Sequence, residues 1–414
     1  MKRSLYALVT LALPCGAFAQ NQQEPPDINF QFKVDQAIEK GIKWLKGKRT
    51  GSYHKEIQNG NELILLTYIH AGVPETDPDF QALMKEALEN KLERTYKVAL
   101  TAMCFEEIDR VKYQYRIHQC AQFLVDNLDD AGESRYGQPT IFVEDVPTTS
   151  PARKDIATTT QKPTDPNKLK DVPEHGKKVK PAVKNLIQVK RKRAGPAEHD
   201  HSNMQYHALG LRACFDAGIR FEESYIKLVD THWRKTQIED AGAKKEPIAL
   251  DGAPIPVAKG AKGATSVMPT TVQMEVPPAG WGYQSGSGKS WGSMTVGAVG
   301  ALCITDYMMG KDWRKDVDVV EGMQWISKHF TVTDNPEYPG KWHYYYLYGL
   351  ERAGMLFGTE IIGPHKWYRT GAEYLLAQQG AGGEWKDVVD TCFAILFLRR
   401  ATRRLDVATS AAKR

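Results

Sequence analysis

The stretch RTGAEYLLAQQGAGGEWKDVVDTCFAILFLRRA, residues 369–401, predicts one helix, a glycine-rich turn and a second helix. The first helix is amphipathic from Gly371 onward, and Gly383-x-Trp385 closes the turn. The second helix opens at Asp390, an acceptable helix cap, and is apolar on nearly every face. A helix that is apolar all round must lie among other helices, whereas an amphipathic helix can cover it. We therefore interpret the stretch as an outer helix paired with an inner helix.

Segments of the same two kinds alternate along the rest of the chain. Outer helices are predicted at residues 34–48, 80–90, 113–128, 222–235, 317–330 and from 369. Inner helices are predicted at residues 62–71, 96–108, 201–217, 293–309, 342–356 and from 390. Alternating pairs of this kind close naturally into a ring. We expect an all-α chain with an (α/α)6 toroid fold, a double barrel of six inner helices inside six outer helices.

The chain begins with the features of a secretory signal peptide, which we predict at residues 1–19. Lys2 and Arg3 precede an apolar run that ends at Leu13, and Ala17-Phe18-Ala19 is a small-x-small cleavage site. The apolar run is about half the length that a bilayer-spanning helix needs. We expect an exported protein, periplasmic or extracellular, with no transmembrane segment once the signal peptide is removed.

The remaining sequence divides into a linker, the toroid with two inserts, and a tail. We predict the N-terminal linker at residues 20–33, the toroid at 34–403 and the C-terminal tail at 404–414. The insert at 139–199 is rich in Thr, Pro and Lys and has little apolar surface to bury, so we expect a mobile surface loop. The insert at 241–280 is rich in Pro, Gly and Ala, and residues 270–276 alternate as a hairpin strand does.

Charge and cysteine usage narrow the class of protein. The net charge of +5 is modest, and much of it comes from the basic insert with its run at residues 190–193. We therefore expect no nucleic-acid partner. Loss of the signal peptide leaves an odd number of cysteines, and none of them has C-x-x-C spacing. We therefore predict that these cysteines pack in the core. These are Cys104, Cys120, Cys214, Cys303 and Cys392.

The best copy of the helix pair also carries a recognisable motif. The pattern is Gly-x-x-aromatic-Leu-x-x-x-Gln followed by Gly-x-Trp, at Gly371, Tyr374, Leu375, Gln379, Gly383 and Trp385. It resembles the repeat of terpenoid cyclases of the squalene-hopene type, which also occurs in protein prenyltransferase β-subunits. Partial copies begin at Gly41 and Gly322, and other runs are similar to secreted bacterial prenyltransferase/squalene-oxidase repeat proteins. The resemblance covers most of the chain and implies the toroid.

The active-site motifs of that superfamily are mostly missing. The Asp-x-Asp-Asp acid with which squalene-hopene cyclases protonate an alkene does not occur in this sequence. Protein prenyltransferases hold zinc through Asp-x-Cys and a downstream His, and only Asp390-Thr391-Cys392 corresponds. The best replacement for the missing His is His343 on the preceding inner helix. Asp390, Cys392 and His343 are therefore the candidate ligands of a zinc site, which is the alternative to a site without metal. Asp390 and Cys392 are two residues apart and therefore point about 200° apart on a helix, so both can reach one zinc ion only if the first turn is distorted. We therefore expect no cofactor.

Polar residues at equal depth on the inner helices predict a ligand site at one mouth of the barrel. When the inner helices are aligned with one another on their Gly-Leu or equivalent pairs, these polar residues fall at matching positions. The candidates are Asn203, Gln205, Thr295, His343, Tyr344 and Asp390. Trp281, Tyr283 and Trp291 are candidates for an aromatic wall. The alternative for each residue is a helix cap, a satisfied core polar group or turn packing.

Three functions are compatible with this sequence. A non-catalytic toroid would bind a small-molecule, lipid or protein ligand, and this is our preferred interpretation. A lipid- or isoprenoid-modifying enzyme would instead need a metal or an acid with a raised pKa in the cavity. A glycan-cleaving enzyme would need two carboxylates about 5–10 Å apart, for which Glu351 and Asp390 are the candidates.

Overall fold

The computed structural model describes residues 27–51, 60–139, 180–197, 200–251 and 271–405. The helices in these ranges are α1 (Ile28–Leu45), α2 (Asn61–Ala71), α3 (Pro78–Glu89), α4 (Thr95–Asp109), α5 (Gln114–Asp126), α6 (His201–Asp216), α7 (Glu223–Lys235), α8 (Gly292–Met309), α9 (Val317–Lys328), α10 (His343–Phe357), α11 (Trp367–Gln378) and α12 (Val388–Leu398). The described chain is mostly helical, which confirms the predicted all-α class.

The even-numbered helices form the interior of the molecule. Each packs on the next even-numbered helix in the chain, and α12 packs on α2. Their burial is nearly complete: every residue of α8 from Gly292 to Tyr307 is buried. These are the segments that the sequence predicts to be apolar on most faces, and their burial confirms that prediction.

The odd-numbered helices cover the interior layer with one face each. In α1 the buried residues follow helical spacing, and they are Val34, Ala37, Ile38, Gly41 and Leu45. Helices α5 and α11 each contact the two even-numbered helices that flank them in sequence, and α1 contacts α12 and α2. Helix α3 contacts α2, and α7 and α9 both contact α8. The alternation of amphipathic and apolar segments therefore corresponds to two layers of helices.

The repeat motif in the last helix pair fixes how α11 meets α12. A Cβ at Gly371 would lie 2.3 Å from the Phe397 ring, so only glycine allows this close approach. The Gln379 side chain donates to the Gly383 carbonyl at 2.9 Å and to a carbonyl of α1 at 2.8 Å. Trp385 is fully buried and donates to the Leu375 carbonyl at 2.8 Å. The motif thus joins the last helix pair to the first.

The starts of α12 and α1 differ from the sequence prediction. Helix α12 begins at Val388 with Asp387 as its N-cap, so Asp390 lies inside the first turn instead of capping it. Helix α1 begins at Ile28, within the predicted linker of residues 20–33, because the Asp27 side chain accepts from the Phe30 backbone N–H at 3.0 Å. The first turns of α1 leave apolar side chains exposed and therefore lack the amphipathic pattern that predicts a helix.

Six short strands lie between the helices of the described chain. They are β1 (Ile187–Gln188), β2 (Ile219–Arg220), β3 (Ile238–Glu239), β4 (Glu246–Asp251), β5 (Thr271–Val276) and β6 (Ala279–Gly280). Strand β1 is parallel to β2, while β3 pairs with β6 and β4 with β5 in antiparallel fashion. The β4–β5 ladder confirms the hairpin strand predicted at residues 270–276 in the second insert.

Part of the first insert, residues 180–197, packs along α5 and is therefore not the mobile loop that its composition predicts. The Gln114 amide donates to the Asn185 carbonyl near the start of α5. At the other end of α5, the Asp126 carboxylate accepts from the Lys192 backbone N–H at 2.7 Å. Hydrogen bonds and ion pairs hold this segment, whereas the prediction considered apolar burial alone.

Some predictions concern residues outside the described ranges. These are the signal peptide at residues 1–19, most of the first insert, and most of the tail at 404–414. No helix within the described ranges combines the length and the hydropathy that a membrane span requires. The described cysteines are free and buried, which confirms core packing as their role.

Candidate functional site

A cavity of about 340 Å³ lies where the even-numbered helices begin. Every even-numbered helix contributes a side chain from its first two turns, and loops complete the wall. The described lining residues are Thr50, Gly60, Leu63, Tyr96, Lys97, Leu100, Tyr136, Ser202, Tyr206, Tyr283, Trp291, Ser293, Met294, Tyr338, Trp342, Tyr345, Val389, Asp390 and Phe393. We call this space the aromatic cavity, because nine of its nineteen described lining residues are aromatic.

Five of the aromatic side chains form a continuous series, which we call the tyrosine row. It consists of Tyr136, Tyr96, Tyr206, Tyr345 and Phe393. Successive ring centroids are 6.4, 4.4, 6.4 and 5.8 Å apart. The row crosses α4, α6, α10 and α12, so these helices present one aromatic surface to the cavity.

A second aromatic group, the aromatic rim, consists of Tyr283, Trp291 and Tyr338. The Trp291 ring lies 4.0 Å from Tyr338 and 6.1 Å from Tyr283, centroid to centroid. The indole Nε1 of Trp291 is buried and has no hydrogen-bond acceptor among the described residues. Trp281, the third residue of the predicted aromatic wall, instead lies in the core, where its indole donates to the Trp233 carbonyl at 2.8 Å. The wall therefore contains two of the three predicted residues.

The charged residues of the described lining are Lys97 and Asp390. Lys97 is buried, and its Nζ lies 3.8 Å from Oε1 of Glu62 on α2. Burial raises the pKa of Asp390 to about 6, and the neighbouring Asp387 adds to this effect. The cavity therefore offers one ion-paired cation and one carboxyl that titrates near neutral pH.

Arg352 on α10 lies next to the tyrosine row. Its side chain is buried, and the centre of its guanidinium group is 5.5 Å from the Tyr206 ring and 5.9 Å from the Tyr345 ring. It is closest to Tyr348, at 4.2 Å from the ring centroid. Its Nη2 is 3.4 Å from Oε1 of Gln205, and its Nη1 has no hydrogen-bond partner among the described residues.

Three of the predicted ligand-binding residues are held by other protein groups. Gln205 donates to the Ser293 carbonyl at 3.0 Å. Asn203 donates to the Asp200 carboxylate at 2.7 Å. The Thr295 hydroxyl accepts the backbone N–H of Trp281 at 3.1 Å, as the Thr391 hydroxyl does for Trp385 in the last helix pair. Gln205 and Thr295 are satisfied polar groups in the interior, which the sequence leaves open as the alternative. The buried Oδ1 of Asn203 has no hydrogen-bond partner among the described residues.

The other predicted residues separate into two positions. Asp390 lines the cavity as expected. His343 and Tyr344 lie away from the lining: His343 Nε2 is 2.9 Å from the Val332 carbonyl, and its ring is 5.3 Å from Tyr374 on α11. Of the polar residues predicted from sequence to bind a ligand, Asp390 is the one that lies in the described lining of the cavity.

The zinc candidates Asp390, Cys392 and His343 have different surroundings. Cys392 is fully buried and interacts with Thr67 on α2, and burial raises the pKa of its thiol to about 12. Asp390 faces the cavity, and its carboxylate is 3.5 Å from the Lys386 ammonium. No three His, Cys, Asp or Glu side chains of the described chain are grouped as metal ligands. The geometry thus gives no support for zinc at these residues.

The candidate acid pair for glycan cleavage is also separated. Glu351 is buried and accepts from the backbone N–H and the hydroxyl of Thr402, which follows the end of α12. Asp390 lies in the first turn of the same helix. Eleven residues of helix span about 16 Å, well beyond the separation that either glycosidase mechanism uses.

The sequence analysis identified the correct turns of the inner helices but not the helix faces that line the cavity. The cavity is lined by Ser202 and Tyr206, which are four residues apart and share one face of α6. Asn203 and Gln205 lie between them in sequence and are turned away by about 100° per residue. Tyr96 and Leu100 on α4 have the same spacing as the lining pair of α6. The signal available in the sequence is an aromatic residue in the first two turns of an inner helix, on the face that it shares with the residue four positions away.

The chain was compared with known proteins. No protein-family model matches it. No curated protein matches it either.

Proposed function

We propose that the chain is an (α/α)6 toroid of the terpenoid cyclase/protein prenyltransferase type, similar to secreted bacterial prenyltransferase/squalene-oxidase repeat proteins. The neighbour order of the even-numbered helices, from α2 through α12 and back to α2, is the order that a closed inner barrel requires. The repeat motif at Gly371 and Trp385 supports the same assignment. The signal-peptide pattern supports export to the periplasm or the extracellular space.

Within that fold, the proposed function is binding of an apolar small molecule or lipid in the aromatic cavity. The observation that carries it is the aromatic lining at the open ends of the interior helices. A volume of about 340 Å³ lies within the usual range of small-molecule sites, which are mostly apolar with few polar groups. Aromatic rings supply large rigid contact area at low entropic cost.

A second candidate, a lipid- or isoprenoid-modifying enzyme, is favoured by one observation. Asp390 is a cavity carboxyl with a pKa raised to about 6, so it can carry a proton near neutral pH. A raised pKa also makes the carboxyl a weaker acid, and the protonation of an alkene demands a strong one. Binding without chemical change therefore remains the preferred function, and mass spectrometry of ligand recovered after incubation separates the two.

Binding is tested with the uncharged fluorescent dye N-phenyl-1-naphthylamine. Val389 lies half-buried in the cavity wall, so Val389→Trp narrows the cavity without forcing a ring into the packed core. Val317 is half-exposed at the start of α9, and Val317→Trp is the matched control. We expect saturable binding to the wild type, weakened at least about tenfold by Val389→Trp and unchanged by Val317→Trp.

Two outcomes would contradict the proposed function. In one, the folded wild type shows no saturable fluorescence increase with the dye. In the other, Val389→Trp and Val317→Trp bind the dye equally well, which would place the dye outside the aromatic cavity. Circular dichroism of each variant establishes that the helices are intact before the titration is interpreted.

A further inference from the structure

Arg352 is a buried cation that forms no close ion pair within the described chain. Its side chain is 2 % exposed. The Glu351 carboxylate, next to it in sequence, interacts with it electrostatically but is hydrogen-bonded to Thr402. A buried charge without a partner is strongly destabilising, so a protein rarely retains one without a use for it.

The groups around Arg352 satisfy its guanidinium only in part. Gln205 Oε1 is shared, since it accepts from the Tyr345 hydroxyl at 2.9 Å and lies 3.4 Å from Arg352 Nη2. The rings of Tyr206, Tyr345 and Tyr348 supply cation–π contact, and the side chains of Tyr206 and Tyr348 also interact with the guanidinium by hydrogen bonding. Arg352 Nη1 keeps no hydrogen-bond partner within the described chain.

Arg352 is not among the described lining residues of the aromatic cavity, but it contacts two of them. Tyr206 and Tyr345 line the cavity and lie under the guanidinium group. Side chains on a helix lean toward its N-terminus, and on α10 that is the cavity end. At the rim, Trp291 Nε1 is a second buried donor without an acceptor. Two unsatisfied donors therefore flank one largely apolar space.

The helix ends add to this positive character. All even-numbered helices direct their N-termini toward the cavity, and a helix N-terminus carries about half a positive charge. The N-cap residues of α2, α4, α8 and α10 provide no side-chain acceptor for their helices. Within the described lining, Asp390 is the one carboxyl, and it is close to neutral at mildly acidic pH.

We propose that the ligand of the aromatic cavity is an amphipathic anion. Its flat or chain-like apolar body would lie against the tyrosine row and the aromatic rim. Its single anionic group, the size of a carboxylate or sulfonate, would pair with the guanidinium of Arg352 between Tyr206 and Tyr345. This inference rests on the proposed binding function and names the chemical class of its ligand.

Two dyes with the same body test the proposal. The anionic dye is 1-anilinonaphthalene-8-sulfonate, and N-phenyl-1-naphthylamine has the same ring system without the sulfonate. We expect the wild type to bind the anionic dye at least about tenfold more tightly, because a hydrogen bond between two charged groups is stronger than one between neutral groups. Arg352→Met retains the length of the side chain and should abolish this preference while leaving the neutral dye bound.

The outcomes separate this inference from the proposed function. If the neutral dye binds as tightly as the anionic dye, or if Arg352→Met preserves the preference, the cavity binds apolar ligands and the role of Arg352 is refuted. If neither dye binds the wild type, the proposed function itself fails. The comparison of the two dyes on the wild type stands even where Arg352→Met does not fold. Binding of both dyes only to an unfolded fraction, identified by circular dichroism, would also overturn the inference.

Discussion

The two ends of the interior helices differ sharply. At their N-terminal ends lies the aromatic cavity of about 340 Å³. Near their C-terminal ends, a pocket of about 50 Å³ remains among charged side chains. There Lys180 forms ion pairs with Glu106 and Glu107, and the Arg403 guanidinium binds the Glu107 carboxylate at 2.8 Å. One end of the helix layer is open and aromatic, while the other is closed by ion pairs.

The difference follows from the polarity of the helices. Backbone carbonyls without partners collect at helix C-termini, where cations are stabilised. Arg399 accordingly donates to the His70 carbonyl at the end of α2, and Arg220 to the Phe215 carbonyl near the end of α6. Chain segments carrying Lys180 and Arg403 fill the closed end. At the open end the helix N–H groups face a cavity instead, so the same polarity favours an anionic ligand there.

The largest expected effect comes from breaking the closed end. Burial opposes ionisation of Glu107, but Lys180, His70 and Arg403 hold its pKa well below the ordinary value. Glu107→Gln would leave the partly buried cations Lys180 and Arg403 with a weaker partner, and Lys180 would depend on Glu106 alone. We expect a loss of about 3–5 kcal/mol in the free energy of unfolding at pH 7, measured by urea denaturation.

The control for this substitution is Glu373→Gln. Glu373 pairs with Arg369 four residues away on the exposed surface of α11, and such pairs contribute about 0.3–0.5 kcal/mol. Dye binding at the open end should be retained in folded Glu107→Gln protein. Equal small losses in both variants would show that the closed end does not depend on its ion pairs.

A smaller effect is expected from disturbing the floor of the open end. A Cβ at Gly297 on α8 would lie 1.7 Å from Cδ of Gln205, the residue that accepts from Tyr345. Gly297→Ala must therefore displace the Gln205 side chain. We expect a loss of about 1–3 kcal/mol in unfolding free energy, typical of overpacking, together with weaker dye binding.

Gly300→Ala on the same helix is the matched control. Its added Cβ would meet only the end of the Leu356 side chain, at 3.2 Å. Alanine also gains up to about 1 kcal/mol over glycine within a helix, so we expect stability within about 1 kcal/mol of the wild type. A Gly297→Ala variant as stable as Gly300→Ala would mean that Gln205 moves without consequence.

The fold was largely readable from sequence because helix type depends on local pattern. Segments apolar on all faces became buried helices, and amphipathic segments became their covers. The start of α1 escaped prediction because Phe32, in its second turn, is 60 % exposed and breaks the pattern. Residues 180–197 escaped because ion pairs such as Lys180 with Glu107 join residues far apart in sequence.

The site was less readable, because a cavity depends on which face of each helix turns inward. The comparison of the inner helices identified Asp390, and the glycine-rich segment before α8 identified two aromatic residues of the rim, Tyr283 and Trp291. It missed Tyr206 and Arg352, since a tyrosine or arginine within an apolar helix gives no sign of its partners. The aromatic surroundings of Arg352 are visible only when the neighbouring helices are in place.

The smallest expected effect concerns the charge of Asp390 in the open end. Its pKa of about 6 lies above the ordinary value of 3.8, so the folded state binds the proton more tightly than the unfolded chain does. The ionised carboxylate therefore destabilises the fold at pH values above about 6. Asp390→Asn should raise the unfolding free energy at pH 8 by about 1 kcal/mol, less than the full pKa shift implies because a carboxylate at a helix N-terminus is itself favourable.

This gain should shrink as the pH falls through 6 and vanish near pH 3, below the ordinary pKa of 3.8, where the carboxyl is protonated in both states. Urea denaturation of the wild type and Asp390→Asn at pH 8 and pH 4.5 measures it, with Asp130→Asn on the exposed surface as the control. Asp390→Asn also removes the one carboxyl of the described cavity lining. Binding of the anionic dye at pH 8 should then tighten, while binding of the neutral dye stays constant. A gain in unfolding free energy that is equal at both pH values would instead assign the effect to packing, and the open end would not sense charge as proposed.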